Sequence, residues 1–139
     1  MFEFFRLWLI VIGVGIAVGG VLLSLLGGTR ALAVMNRLID PAFWDGLPDT
    51  SAQRFQAWAY GLLGAIMAAW GLTVAILVSQ VWNTRQAWVW WSVAASVGLW
   101  FVLDTGQSLR YRVFANAAIN TVLLVVLAIP LAFTFGDFH

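Results

Sequence analysis

The amino-acid sequence predicts an all-α, integral membrane four-helix transmembrane bundle with a short interfacial amphipathic helix between spans 1 and 2. Three observations predict it. Residues 7–26, 55–81, 87–103 and 113–135 contain no Asp, Glu, Lys, Arg or His. Each run is close to the roughly 20 residues that a helix needs to cross a hydrocarbon layer about 30 Å thick. The hydrophobic fraction is 63% and the charged fraction 9%, against about 45–50% and 25% in soluble domains. A soluble fold of this size has no interior large enough for that much apolar surface. A chain of 139 residues leaves room for one domain, residues 1–139.

The first span is expected at about 7–27, stopped by the pair Gly27-Gly28. Its apolar run is longer than the 7–15 residues of a signal-peptide core, so it reads as a retained span despite the Ala31-Leu32-Ala33 sequence that follows. Residues 30–44 form the one amphipathic stretch. Leu32, Met35, Leu38, Ile39 and Phe43 recur at helical spacing, with Arg30, Asn36, Arg37 and Asp40 opposite. A helix lying in the headgroup plane follows from that pattern. Pro41, Gly46 and Pro48 break the chain before Asp49-Thr50-Ser51, an N-cap signal for the second span at about 55–81. The turn Asn83-Thr84-Arg85-Gln86 makes spans 2 and 3 an antiparallel hairpin. Span 3 is expected at about 87–104, a tight turn at Asp104-Thr105-Gly106-Gln107-Ser108, and span 4 at about 109–135.

Composition excludes several chemistries. There is no Cys, hence no disulfide and no thiolate metal site. All seven basic residues are Arg, so a lysine Schiff base is excluded. The only His is His139, outside every span, so no histidine-ligated haem is expected in the membrane. No metal and no cofactor are expected. A formal net charge of +1 gives no field to attract nucleic acid.

Small residues form stripes. Gly15-x-x-x-Gly19 lies in span 1, and span 2 carries Ala57, Gly61, Gly64, Ala68, Gly71 and Ala75. Helices in lipid associate through close backbone contact at such residues. Most of these positions are expected to pack the bundle, with the span 1 stripe as a docking face for another subunit. A polar cluster marks one membrane boundary. Asp104, Thr105, Gln107 and Ser108 precede Arg112, Asn116 and Asn120, which share a helix face at four-residue spacing. Polar groups at that depth need partners. Asp104 is expected to pair with Arg112, and the asparagines with Ser92, Ser96, Thr121, Gln56 or Tyr60. Nine Trp residues include Trp44, Trp82, Trp88, Trp90, Trp91 and Trp100, which suit interfacial belts. Trp58 and Trp70 lie inside span 2, on roughly one face.

Three functions compete. The first is a small non-enzymatic accessory or structural subunit packed against a larger membrane assembly, or against its own copy. The second is a binding or carrier module for a lipophilic molecule (lipid, quinone, sterol or carotenoid), with Asp104, Arg112, Asn116, Asn120 and Tyr60 holding its polar end and Trp58 and Trp70 its body. The third is a lipid-modifying enzyme using Asp104, thin equipment without His or Cys. The first is the expectation. Arg30, Arg37, Arg54, Arg110 and Arg112 share one membrane side against Arg6 and Arg85 on the other. That asymmetry puts both termini outside the cytoplasm, with a bacterial inner membrane as the expected location.

Overall fold

The computed structural model describes residues 1–45 and 48–138, and for residues 32–35 the backbone alone. His139 and Gly46 lie outside the described residues. Five α-helices follow in order: α1 Phe2–Leu26, α2 Ala33–Ile39, α3 Thr50–Gln80, α4 Ala87–Arg110 and α5 Phe114–Thr134. Four of them, α1, α3, α4 and α5, are long and apolar enough to cross a membrane. The 31 residues of α3 extend about 46 Å at 1.5 Å each, so this helix outruns the hydrocarbon thickness.

Local chemistry sets most helix ends. Gly27 follows α1 and returns its N–H to the Leu23 carbonyl at 2.9 Å, while Gly28 takes φ +79°. A side chain at Gly28 would also collide with Ala57, so glycine is required there by both backbone and space. The α2 helix is flanked by 3₁₀ turns at Arg30–Leu32 and Asp40–Ala42, the second with Pro41 near its start. The stretch 30–44, expected as one amphipathic helix, is therefore a broken helix and not a continuous one. Asp49 caps α3, its carboxylate accepting the Ala52 N–H at 2.7 Å and the Ser51 hydroxyl at 2.8 Å.

That cap makes a pH prediction. The Ala52 N–H, then the Ser51 hydroxyl, hold the Asp49 carboxyl below its usual value. A depressed carboxyl stabilises the fold above its unfolded pKa and stops doing so as pH falls through the folded value. Helicity should therefore be lost from the start of α3 on acidification below about pH 4. In Asp49→Asn, which can cap without charge, thermal melts should lose that component of their acid dependence.

One helix end departs from expectation. The turn predicted at 104–108 is not a turn: α4 continues to Arg110, and the chain reverses at Tyr111, Arg112 and Val113. Ser108 returns its hydroxyl to the Asp104 carbonyl at 2.8 Å, the back-bond of a residue inside a helix. Asp104 and Gly106 are turn formers by propensity, but tertiary partners of Asp104 on α5 outweigh that preference.

The four long helices are antiparallel in sequence along the bundle. In the register of α1 on α3, Gly13 faces Gly71 and Gly20 faces Gly64. A Cβ at Gly64 would stand 2.5 Å from the Gly20 carbonyl oxygen, and one at Gly71 would stand 2.6 Å from that of Gly13. Both backbones fill the space where side chains would be. Ala68 and Ala75 belong to the same contact. A Cβ added at Gly61 would meet only the Ser24 carbonyl oxygen, at 4.0 Å. A Cβ added at Gly15 or Gly19 would meet nothing within 4 Å, so both point away from α3.

The buried apolar cluster draws on all four helices. Leu9 comes from α1, Val74 and Val78 from α3, Val89, Val93 and Val97 from α4, and Leu127 and Leu131 from α5. All lie in the half of the bundle nearest the amino terminus. Trp82 is fully buried there and meets the Phe138 ring edge-on at 4.6 Å. Its indole N–H meets no acceptor among the described residues. Trp82 was expected in an interfacial belt; instead it plugs the end of the core. Arg85 closes the same end, 3.8 Å from Asp137 and stacked on the Phe2 ring at 4.8 Å. Arg85 ends the 3₁₀ turn Trp82–Thr84 in the left-handed conformation, φ 51°, its N–H bonded to the Trp82 carbonyl at 3.1 Å.

Candidate functional site

The polar cluster lies between α4 and α5 in the other half of the bundle. On α4, positions 104, 105 and 108 fall on one face; on α5, positions 116 and 120 do the same. The Asp104 Oδ1 atom is the hub. It accepts from Asn116 Nδ2 at 2.7 Å and from Asn120 Nδ2 at 2.9 Å. Each amide has a second hydrogen, and each has a place for it. Asn116 Nδ2 reaches Ser108 Oγ at 2.8 Å, and Asn120 Nδ2 reaches Thr105 Oγ1 at 3.3 Å. All four amide donors are thus engaged within the protein. Asn120 is 3% exposed and Ser108 6%, depths at which an unpaired donor is costly.

The other expected partners are elsewhere. Ser96 receives the Trp70 indole N–H at 3.4 Å, and Ser92 and Thr121 bond to the carbonyl four residues earlier. Arg112 does not pair with Asp104. The only ion pairs among the described residues are Glu3–Arg6 and Arg85–Asp137. Arg112 is exposed, in the reversal after α4, at φ 61°. Four-residue spacing from Arg112 to Asn116 would place them on one face only if the helix included Arg112, and α5 begins at Phe114.

Tyr60 joins a second polar group. Gln56 Nε2 donates to Asp40 Oδ1 at 2.7 Å and lies 3.2 Å from the Tyr60 hydroxyl oxygen. This group ties the α1–α3 connection to α3. Trp70 packs on Trp100 of α4 with ring centroids 5.7 Å apart. Trp58 is 60% exposed beside Phe55. Twelve residues of helix rotate Trp58 from Trp70 by about 120°, so they cannot share a ligand. The seven candidate ligand residues therefore occupy five separate places.

Two shallow grooves run along the bundle surface. One, about 430 Å³, lies between α1 and α3 and is lined by Ala17, Val18, Leu22, Ala68 and Leu72, among others. The second, about 280 Å³, lies between α4 and α5 beside Trp90, Gly98 and Leu124. Neither is lined by any of the seven candidates. No three His, Cys, Asp or Glu side chains converge among the described residues.

Sequence reasoning passed over Gly13 and Gly20 as packing residues. The signal was present: Gly13 and Gly20 are seven apart, as are Gly64 and Gly71. Two turns of helix separate each pair, so two seven-spaced pairs mate in register. The more familiar four-residue spacing of Gly15 and Gly19 obscured it.

Four apolar helices closed by reciprocal glycine contacts and an internal polar clasp define this chain as a multi-pass, all-α membrane protein. In comparisons with known proteins no family model, curated protein or solved structure matches the chain.

Proposed function

We propose that this protein is a non-enzymatic accessory or structural subunit that packs against a larger membrane assembly or against its own copies. The observation that carries this reading is the second small-residue face of α1. Gly13 and Gly20 are consumed by α3, whereas Gly15 and Gly19 stand open. Exposed Val11, Val14, Val18 and Leu22 flank them. An open glycine pair lets another helix backbone approach closely, the geometry by which helices associate in lipid. The self-contained hydrogen bonding of Asp104 supports a structural role for that residue and leaves no general acid–base pair for catalysis. We place the protein in a bacterial inner membrane with both termini outside the cytoplasm.

The test is native purification in mild detergent with cross-linking. The wild type should migrate with a stoichiometric partner or as a self-oligomer. Gly15→Leu/Gly19→Leu should abolish that association while leaving the melting temperature nearly unchanged, because neither position touches α3. A wild-type chain that is monodisperse, monomeric and free of partners sinks the proposal.

A second reading has one specific support. The Asp104 Oδ2 atom and the two asparagine carbonyl oxygens accept no hydrogen bond among the described residues, so the clasp can still receive a donor from the polar end of a lipophilic molecule. Such a carrier would show Trp fluorescence quenching by quinones, sterols or phospholipids, lost in Asn116→Leu.

A further inference from the structure

Seven arginines divide between the two ends of the bundle, and they are used differently at each. At the amino-terminal end both are engaged: Arg6 lies 2.8 Å from Glu3, and Arg85 contacts Asp137 and the Phe2 ring. At the α2 end Arg30, Arg37, Arg54, Arg110 and Arg112 are all exposed, and none forms an ion pair among the described residues. Four carboxylates share that end, so its formal charge is only +1, five less four. Three of the four are committed to other donors. Asp40 takes Gln56, Asp49 takes the Ala52 N–H and Ser51, and Asp104 takes Asn116 and Asn120. Only Asp45, exposed, has no such commitment. The fold thus spends its carboxylates on neutral amides and hydroxyls and leaves the guanidinium donors open.

We propose that these arginines form a rim that binds the phosphate groups of anionic membrane lipids, with Arg110 and Arg112 as its best-defined element. The two flank Tyr111 in the reversal between α4 and α5, where the apolar spans end. The Arg110 guanidinium lies 5.6 Å from the Tyr111 ring centroid, a contact that orients it without neutralising it. Tyr111 also meets Phe43 at 5.9 Å, which anchors the α1–α3 connection beside the pair. Guanidinium forks match phosphate oxygens in geometry and charge. Arg112 takes the left-handed conformation that ends α4, its N–H bonded to the Leu109 carbonyl and that of Val113 to the Ser108 carbonyl, so the backbone fixes its position while its side chain stays exposed. Lipid is the favoured occupant because Arg30, Arg54, Arg110 and Arg112 lie within four residues of the ends of membrane-crossing helices, and Arg37 on α2 in the connection between two of them, where headgroups are expected.

The experiment uses the full chain in nanodiscs of equal phosphatidylcholine and phosphatidylglycerol, with native mass spectrometry of the lipids it retains. Phosphatidylglycerol should be enriched about fivefold for each engaged arginine. Arg110→Gln/Arg112→Gln should cut that enrichment at least fivefold. In the wild type it should collapse at 1 M salt, where the screening length is about 3 Å. Equal retention of the two lipids by the wild type overturns the proposal, and that arm needs no variant to fold. Full enrichment in a double variant with normal helicity overturns the assignment to Arg110 and Arg112. Salt-sensitive binding of an acidic peptide with no lipid preference would identify a protein partner instead and overturn the lipid rim. The outcome is independent of whether the α1 face recruits another subunit.

Discussion

Gly64→Val should prevent the bundle from assembling. The added Cβ would meet the backbone of Ser24 and, at 2.5 Å, the carbonyl oxygen of Gly20. Backbone atoms in two apposed helices cannot rotate aside as a side-chain terminus can, so relief requires α1 and α3 to separate. Overpacking of ordinary cores costs about 1–3 kcal/mol and occasionally more; here about 3 kcal/mol is the lower end, because separation forfeits the neighbouring contacts at Gly71 and Ala68 as well. Helicity should survive, since each span is held by its own backbone hydrogen bonds in lipid. The readouts are thermal or SDS-induced unfolding in detergent and a cysteine cross-link engineered between α1 and α3. Gly98→Ala and Gly106→Ala supply the controls, because a Cβ at either has open space around it. Near-wild-type melting of Gly64→Val would show that α1 and α3 are not packed through this seam.

Asp104→Ala carries the second largest effect. It removes the one atom that accepts from both Asn116 and Asn120. Interhelical hydrogen bonds in membranes are worth about 0.6–2 kcal/mol each. A buried donor left without a partner adds about 1–3 kcal/mol, and Asn120 is 3% exposed. Even the low ends of these terms put the loss at about 2 kcal/mol. Asp104→Asn should cost less, because its carbonyl oxygen can still accept. A triple change of Asp104→Leu with Asn116→Leu and Asn120→Leu should recover much of the loss, since no donor is then stranded. The comparison separates a structural clasp from a ligand site: recovery of stability by apolar replacement is expected of the former alone. If Asp104→Ala melts with the wild type, the clasp contributes nothing.

The legibility of the candidate site differed residue by residue. Asp104, Asn116 and Asn120 could be grouped from the sequence, because polar side chains inside apolar runs need partners and these three lie near one membrane boundary. Their pairing pattern could not. It depends on where α4 stops, and Asp104, Gly106 and Ser108 have the composition of a turn while sitting inside a helix. Arg112 was drawn into the group by spacing that applies only within one helix; the reversal at 111–113 breaks that spacing. Trp58 and Trp70 looked alike in a linear reading, yet one faces outward and the other packs on Trp100.

The four spans, their order and their antiparallel course were determined by the sequence alone. Hydrocarbon admits backbone only when its hydrogen bonds are internal, so a long uncharged run has one available structure, the helix, whatever surrounds it. Which faces meet was decided by the tertiary structure. Lipid is as apolar as the helices it surrounds, so hydrophobicity does not distinguish an inward face from an outward one. Contact is then settled by the fit of backbones at Gly13, Gly20, Gly64 and Gly71, and by the donors that converge on a single carboxylate oxygen. Neither is visible until the helices are set side by side.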